Sequence, residues 1–289
     1  MKKVFGLMIV IALLVGTLTA CGSSGDQGED GSSLGAVNVI SREDGSGTRG
    51  AFVELLGIVD ADENDAITAA AEITNSTSVM ISTVAGNPNA IGYISLGSLS
   101  DDVKAVSIDG VAPTVEDINN GTYTIARPFN IVYPEGSLSD LAEDFKTFIL
   151  SDEGQTIIND EGYIRIGEGE SYTASGLSGT ITLAGSTSVS PVMEVLADAY
   201  KEQNPAVTIE IQQTGSSAGI TSASEGVCNF GMSSRELKDS EASQLTSVSI
   251  ARDGIVVIVN HENEITNLTS EQVKNIYLGE ITDWSELAE

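Results

Sequence analysis

Three Gly/Ser/Thr-rich stretches each stand between an apolar run and a helical pattern. They constrain this chain more than any other feature. Ser41-Arg42-Glu43-Asp44-Gly45-Ser46-Gly47-Thr48-Arg49 follows the apolar Val37 to Ile40 and precedes the helix-like Ala51 to Leu56. Gly185-Ser186-Thr187-Ser188 follows Ile181 to Ala184 and precedes a helix from Pro191. Thr214-Gly215-Ser216-Ser217-Ala218-Gly219 follows the alternating Val207, Ile209 and Ile211. Strand, short loop, helix is the geometry that leaves backbone N–H groups free at a helix start and aims them at an anion. Ser46 and Thr48 add hydroxyls, and Arg42 adds a planar, permanently charged fork. Converging starts of this kind fit one small oxyanion held by dipoles.

The rest of the chain reads as an α/β protein, since helical and alternating apolar patterns interleave. Val192, Val195, Leu196, Ala199 and Tyr200 form one helical face, and Leu141, Phe145, Phe148 and Ile149 another. Ile255 to Val259 is a buried-strand run. Thr269 with Gln272 predicts a capping box for a helix that stops at Gly279. Arg165 to Gly179 is rich in Gly, Ser and Glu and reads as a linker. Ser-Thr-Ser-Val occurs twice, at Ser76 to Val79 and Ser186 to Val189. Only the second has an evident strand before it, so the first is read as a plain helix start.

Lys2 and Lys3 precede an apolar run from Val4 to Leu18 and then Thr19-Ala20-Cys21. This is a secretory signal pattern, and Leu18-Thr19-Ala20-Cys21 resembles a bacterial lipobox, which makes Cys21 the lipidation site. A transmembrane anchor is the rival, but spanning takes about 20 apolar residues. Gly22 to Gly35 lacks periodicity and reads as a tether. The chain is then extracytoplasmic and held to the cell membrane by lipid on Cys21. That leaves Cys228 unpaired and, in its apolar surroundings, a buried thiol. The formal charge of −29 argues against nucleic-acid binding and against long-range capture of an anion. An anion site here must work locally. His261, the sole histidine, cannot make a metal site alone, and no metal or cofactor is expected.

Six segments together carry a resemblance: Ala184 to Pro191, Thr214 to Gly219, Gly231-Met232-Ser233-Ser234-Arg235-Glu236-Leu237, Val39 to Arg49, Ala90 to Ile94 and Ile125 to Asn130. They resemble the phosphate-binding protein of the bacterial phosphate ABC importer, from about Ala36 to the C-terminus. The segment order departs from that family. The Gly185 and Gly215 loops, which the family places first, come last here, and the chain stops where the Ala36 segment would follow. Circular permutation explains this order, and a truncated tandem fusion is the alternative.

The resemblance implies a two-lobed α/β fold of the periplasmic-binding-protein type with the ligand in the cleft. Residues 1–21 are then signal, 22–35 tether, 36–93 plus 258–289 a split lobe, and 94–257 a continuous lobe containing the 165–179 linker. It implies phosphate contacts from Thr187, Ser188, Ser216, Ser217 and Ser234 on the continuous lobe, and from Arg42, Ser46, Gly47 and Thr48 on the split one. Asp44 matches an aspartate that orients the arginine. Ser234 stands where a better-known branch has an acidic residue that accepts the proton of hydrogen phosphate, so sulfate or molybdate is the runner-up ligand. The implied partners are inorganic phosphate and an ABC importer permease, and the chain is read as a monomer or, through its short linker, a swapped dimer. Arg127 reads as structural, Trp284 as packing, and Arg235 as either facing the ligand or pairing with Glu236 or Asp239. A sensory lipoprotein keeps the fold without transport. A serine hydrolase or phosphatase would need His261 as its base, and no Gly-x-Ser-x-Gly elbow is present.

Overall fold

The computed structural model describes residues 35–287. In the first third, β1 (Asn38–Arg42), α1 (Gly47–Leu56), β2 (Glu72–Thr74), α2 (Thr77–Ala85) and β3 (Ala90–Ser95) alternate, followed by β4 (Lys104–Ala105), β5 (Ser107–Ile108) and α3 (Val115–Asn120). Then come β6 (Ala126–Tyr133), α4 (Asp140–Leu150), α5 (Asp152–Asp160), β7 (Gly179–Gly185), α6 (Ser190–Gln203), β8 (Val207–Gln213), α7 (Ser216–Ser224), β9 (Phe230–Ser233) and α8 (Asp239–Ala242). The 14-residue β10 (Thr246–Val259), β11 (Asn267–Leu268) and α9 (Ser270–Leu278) close the order.

Nine strands form one sheet, in the order β2-β1-β3-β10-β6-β9-β7-β8, with β4 paired to β10 off this path. The long β10 joins its two ends. Ile255 to Val259 runs antiparallel to β3, while Thr246 to Gly254 runs antiparallel to β6. Apolar side chains gather in separate cores on either side of this change of partner. One contains Phe52, Tyr93, Ile118, Tyr123, Ile125, Val257, Tyr277 and Trp284; the other contains Phe129, Phe145, Phe148, Ile181, Leu196, Phe230 and Ala251. The fold is therefore mixed α/β and two-lobed.

The lobes change over later in β10's partner strands than the sequence reading placed them. Val106, Ile108, Ile118, Tyr123 and Ile125 belong to the first core, although the expected boundary at Ile94 gave them to the other lobe. The chain crosses at Ile125–Ala126 and at Gly254–Ile255, where Ile255 N donates to Ile125 O at 2.8 Å. Apolar runs show burial but not which core a strand end enters, and hence the discrepancy.

Local signals explain most helix ends. Thr269 and Gln272 form the expected capping box of α9, and Gly279 ends it at φ 80°. The buried face of α6 is rotated from expectation. Met193 and Ala197 are buried with Val192, Leu196 and Tyr200, whereas Val195 is exposed. The 3.6-residue period accommodates either stripe, and the packing of α6 against β8, α4 and α5 selects one.

The 165–179 join is not a free tether. Its backbone is irregular, yet Tyr172 stacks edge-on against Phe148 (5.1 Å between ring centres), and its hydroxyl donates to Asp144 Oδ2 at 2.6 Å. Ser175 Oγ and Tyr200 OH donate to the same carboxylate oxygen. A lone tyrosine in a polar stretch gave no warning of this anchorage. The first and last described segments also meet: Val37 N donates to Thr282 O at 2.8 Å, and Trp284 N to Gly35 O at 3.2 Å.

Candidate functional site

Arg42 ends β1 and is 2% exposed. Tyr93 on the neighbouring β3 fixes the end of that strand. Its hydroxyl accepts from Arg42 N at 3.2 Å and shares a 2.9 Å bond with Ser41 Oγ. Phe52 stacks on its ring at 4.0 Å, and burial pushes its pKa up to about 12, so the phenol stays a neutral anchor. The Arg42 guanidinium then reaches across to the second lobe, where Nη2 donates to Thr187 Oγ1 at 3.0 Å.

The arginine is oriented by Glu43, not by Asp44. Nε and Nη2 each donate to one Glu43 carboxylate oxygen at 2.8 Å. The Asp44 side chain is 97% exposed and pairs with Arg49 at 3.4 Å. Gly45, at φ 87°, turns the loop just beyond Asp44, and the side chain leaves toward solvent.

A chain of buried hydroxyls continues from Thr187. Thr77 Oγ1 lies 3.4 Å from Thr187 Oγ1 and 3.3 Å from Ser188 Oγ, and Thr48 Oγ1 lies 2.8 Å from Ser188 Oγ. Beside it, Ser186 Oγ donates to Ser234 Oγ at 2.9 Å, and Ser216 Oγ lies 3.3 Å from the same atom. Gly47 closes the seam between the lobes. A Cβ there would fall 2.3 Å from Ser216 Oγ and 2.6 Å from Ser234 Oγ, so a larger residue would have to displace both hydroxyls. Gly185, at φ 142°, likewise lets β7 lie against Met232 of β9, where a Cβ would meet the Met232 carbonyl at 2.3 Å.

Thr187, Ser188, Ser216, Ser234, Arg42, Gly47 and Thr48 thus lie together in one cluster. Two predicted contacts take other roles in this arrangement. Ser46 Oγ caps α1 by accepting from Arg49 N at 3.4 Å, an alternative use of the same lone pairs. Ser217 sits at the rim, its backbone N–H on Gly45 O at 3.0 Å and its hydroxyl accepting from Arg235 Nη2 at 3.2 Å. Arg235 forms its ion pair with Glu241, bidentately at 2.7 and 2.9 Å, and not with the Glu236 or Asp239 carboxylate, although Nη1 also donates to Glu236 O at 2.8 Å.

Beneath the cluster, Arg127 bonds Asp253 through Nε and Nη2 at 3.2 and 3.1 Å and donates to Ser234 O at 3.3 Å. Burial pushes the Asp253 carboxyl up, while Arg127, Ser95 Oγ and Leu96 N favour its ionised form. Cys228 is buried, and burial raises its thiol pKa. His261 is bonded to Asp101 O at 2.8 Å on the surface. A cavity of about 460 Å³ between β1, β2 and α9, lined by Val37, Thr68, Glu72 and Ile281, offers no arginine and lies apart from the hydroxyls.

Thr77 and Glu43 are the residues that sequence reasoning missed. The signal for Thr77 was the repeated Ser-Thr-Ser-Val. A three-residue β2 does precede its first copy, and the two copies face each other across the lobes. Glu43 had no signal beyond adjacency to Arg42.

Donors from two separately packed lobes that converge on one buried cluster define a two-lobed solute-binding protein. The family model described as a PBP superfamily domain matches residues 24–153 and 170–289. Phosphate-binding protein PstS 2 of Streptococcus agalactiae is 46% identical over 292 residues, which cover 99% of this chain and 98% of that one. The crystal structure of a phosphate ABC transporter phosphate-binding protein from Streptococcus pneumoniae shares 47% identity at a TM-score of 0.71, covering 87% of this chain and 99% of that one. Phosphate-binding protein PstS of Bacillus subtilis is 33% identical over 132 residues, 45% of this chain and 42% of that one. The chain belongs to the family of phosphate-binding proteins.

Proposed function

We infer that this protein captures inorganic phosphate between its lobes and delivers it to an ABC importer from outside the cytoplasm, anchored by lipid on Cys21. Cys21 lies outside the described residues, and its lipobox sequence supports the anchor. The observation that carries the binding reading is the 3.0 Å bond from Arg42 to Thr187, which joins the one guanidinium of the cluster to hydroxyls of the opposite lobe. An oxyanion there takes charged hydrogen bonds worth about 1.5–3 kcal/mol each. Calorimetry of a soluble form starting after Cys21 tests this, with one phosphate bound per chain expected. Because the donors are buried, affinity should fall less than about tenfold between low and physiological salt. A steeper loss would point to a surface site.

Sulfate is the second reading, favoured by Ser234. A hydroxyl can donate or accept, so it does not reject an unprotonated tetrahedral ion as a carboxylate does. The Glu43 carboxylate is occupied at both oxygens by Arg42. Displacement of phosphate by equimolar sulfate would support that reading. The protein is read as a binder rather than a hydrolase, and release of product from a phosphate ester would overturn this.

The segment order is read as a circular permutation. The near end-to-end match to the streptococcal relative supports an order shared with that branch, and the Bacillus match over less than half of each chain supports a rotated order there. The contact of Val37 with Thr282 gives the original joint a place to have been.

A further inference from the structure

We propose that Thr77, at the start of α2, is a further ligand-contacting residue of the oxyanion site, an inference that rests on the phosphate reading above. Thr77 is 6% exposed, and its hydroxyl lies between Thr187 Oγ1 and Ser188 Oγ at 3.4 and 3.3 Å. Both distances exceed the 2.7–2.8 Å typical of hydroxyl pairs, so the hydroxyl is within reach of two ligand donors and tightly bonded to neither.

The division of labour in the first turn of α2 frees this side chain. Ser76 supplies the cap, its Oγ accepting from Val79 N at 3.2 Å, so Thr77 has no capping duty. The second tetrapeptide behaves alike: Ser186 Oγ accepts from Ser188 N at 3.2 Å, and Thr187 is left to meet Arg42. In each copy the first serine serves the backbone and the threonine faces the opposite lobe. The nine-residue α2 thus starts beside the cluster through its Thr77 hydroxyl. An oxygen of the bound ion placed among Arg42, Thr187 and Ser188 falls within range of Thr77 Oγ1.

Calorimetry of the wild type, Thr77→Val and Thr77→Ser against phosphate, with a crystal structure of the wild-type phosphate complex, tests this. Valine keeps the shape and removes the hydroxyl. The expected results are an affinity loss of about tenfold or more in Thr77→Val, recovery to within about threefold in Thr77→Ser, and a Thr77 Oγ1 to phosphate oxygen distance within hydrogen-bond range. Unchanged affinity in Thr77→Val would overturn the inference alone. So would a weakened Thr77→Val together with a complex in which Thr77 touches only Thr187 and Ser188, because the residue would then act through lobe contact. A wild type that binds neither phosphate nor sulfate would overturn the phosphate reading and this inference with it.

Discussion

Arg42 and Gly47 carry opposite demands at the same cleft. Arg42 must span it with a planar fork, Nε and Nη2 held by Glu43 and Nη2 also reaching Thr187. Lysine has the charge without the fork. Arg42→Lys should therefore weaken phosphate binding by about tenfold or more, read by calorimetry. Asp44→Asn should leave affinity within about twofold, since that carboxylate is exposed and pairs only with Arg49. Gly47 must instead offer nothing. Gly47→Ala places a methyl 2.3 Å from Ser216 Oγ and holds the lobes apart. Alanine improves helix propensity by up to about 1 kcal/mol, so the variant should melt no lower than wild type. It should bind phosphate poorly and show a larger radius of gyration in solution scattering with phosphate present. A closed, binding-competent Gly47→Ala would remove the seam from the mechanism.

At the scale of elements, loops are held by ion pairs set behind them. Arg235 braces Ser217 of α7 while Glu241 of α8 grips the guanidinium from the other side. The hydrogen bonds from Arg235 hold the Glu241 carboxyl below the ordinary glutamate value of 4.5. A carboxylate with a lowered folded-state pKa contributes stability that is present above the unfolded value and lost as pH falls through the folded one. Urea unfolding followed from about pH 6 to about pH 3 should show a stability loss that Glu241→Gln reduces. An identical acid limb in the variant would show that this pair adds nothing. The element-level patterns were largely legible: the caps of α9, the apolar face of α4 and the Gly/Ser helix starts all follow from local rules. The rotation of α6 and the meeting of the Ser-Thr-Ser-Val copies were not, because periodicity and spacing do not specify which neighbour an element will find.

Across the whole molecule, the positions of the chain ends matter less than the contacts they make. The first described residues pair with Thr282 and Trp284, and the first and last described segments both belong to the lobe whose core holds Val39 and Trp284. A chain in which Leu287 is joined to Gly35 and opened between Thr173 and Gly176 should keep the same fold, since joints at exposed, adjacent termini are tolerated. Its expected signature is an unchanged circular dichroism spectrum and a phosphate affinity within about threefold of the original. Loss of folding would mean that the 165–179 segment does more than connect. Tyr172 makes that outcome informative, because cutting beyond it preserves its bonds to Asp144 and its packing on Phe148.

Local chemistry alone determined the α/β class, the donor-rich helix starts, Arg42 beside the first of them and the need for a locally built anion site in a chain of charge −29. These are properties of neighbours in sequence, where backbone geometry and hydrogen-bonding capacity act over a few residues. Tertiary structure decided what sequence neighbours leave open: which of Glu43 and Asp44 takes the fork, Thr77 opposite Thr187 across 110 positions, the crossover at Ile125, and a linker anchored on Asp144 through Tyr172 and Ser175. A side chain's partner is chosen by how whole elements stack. That choice follows from packing two cores around one shared strand, which no local pattern records.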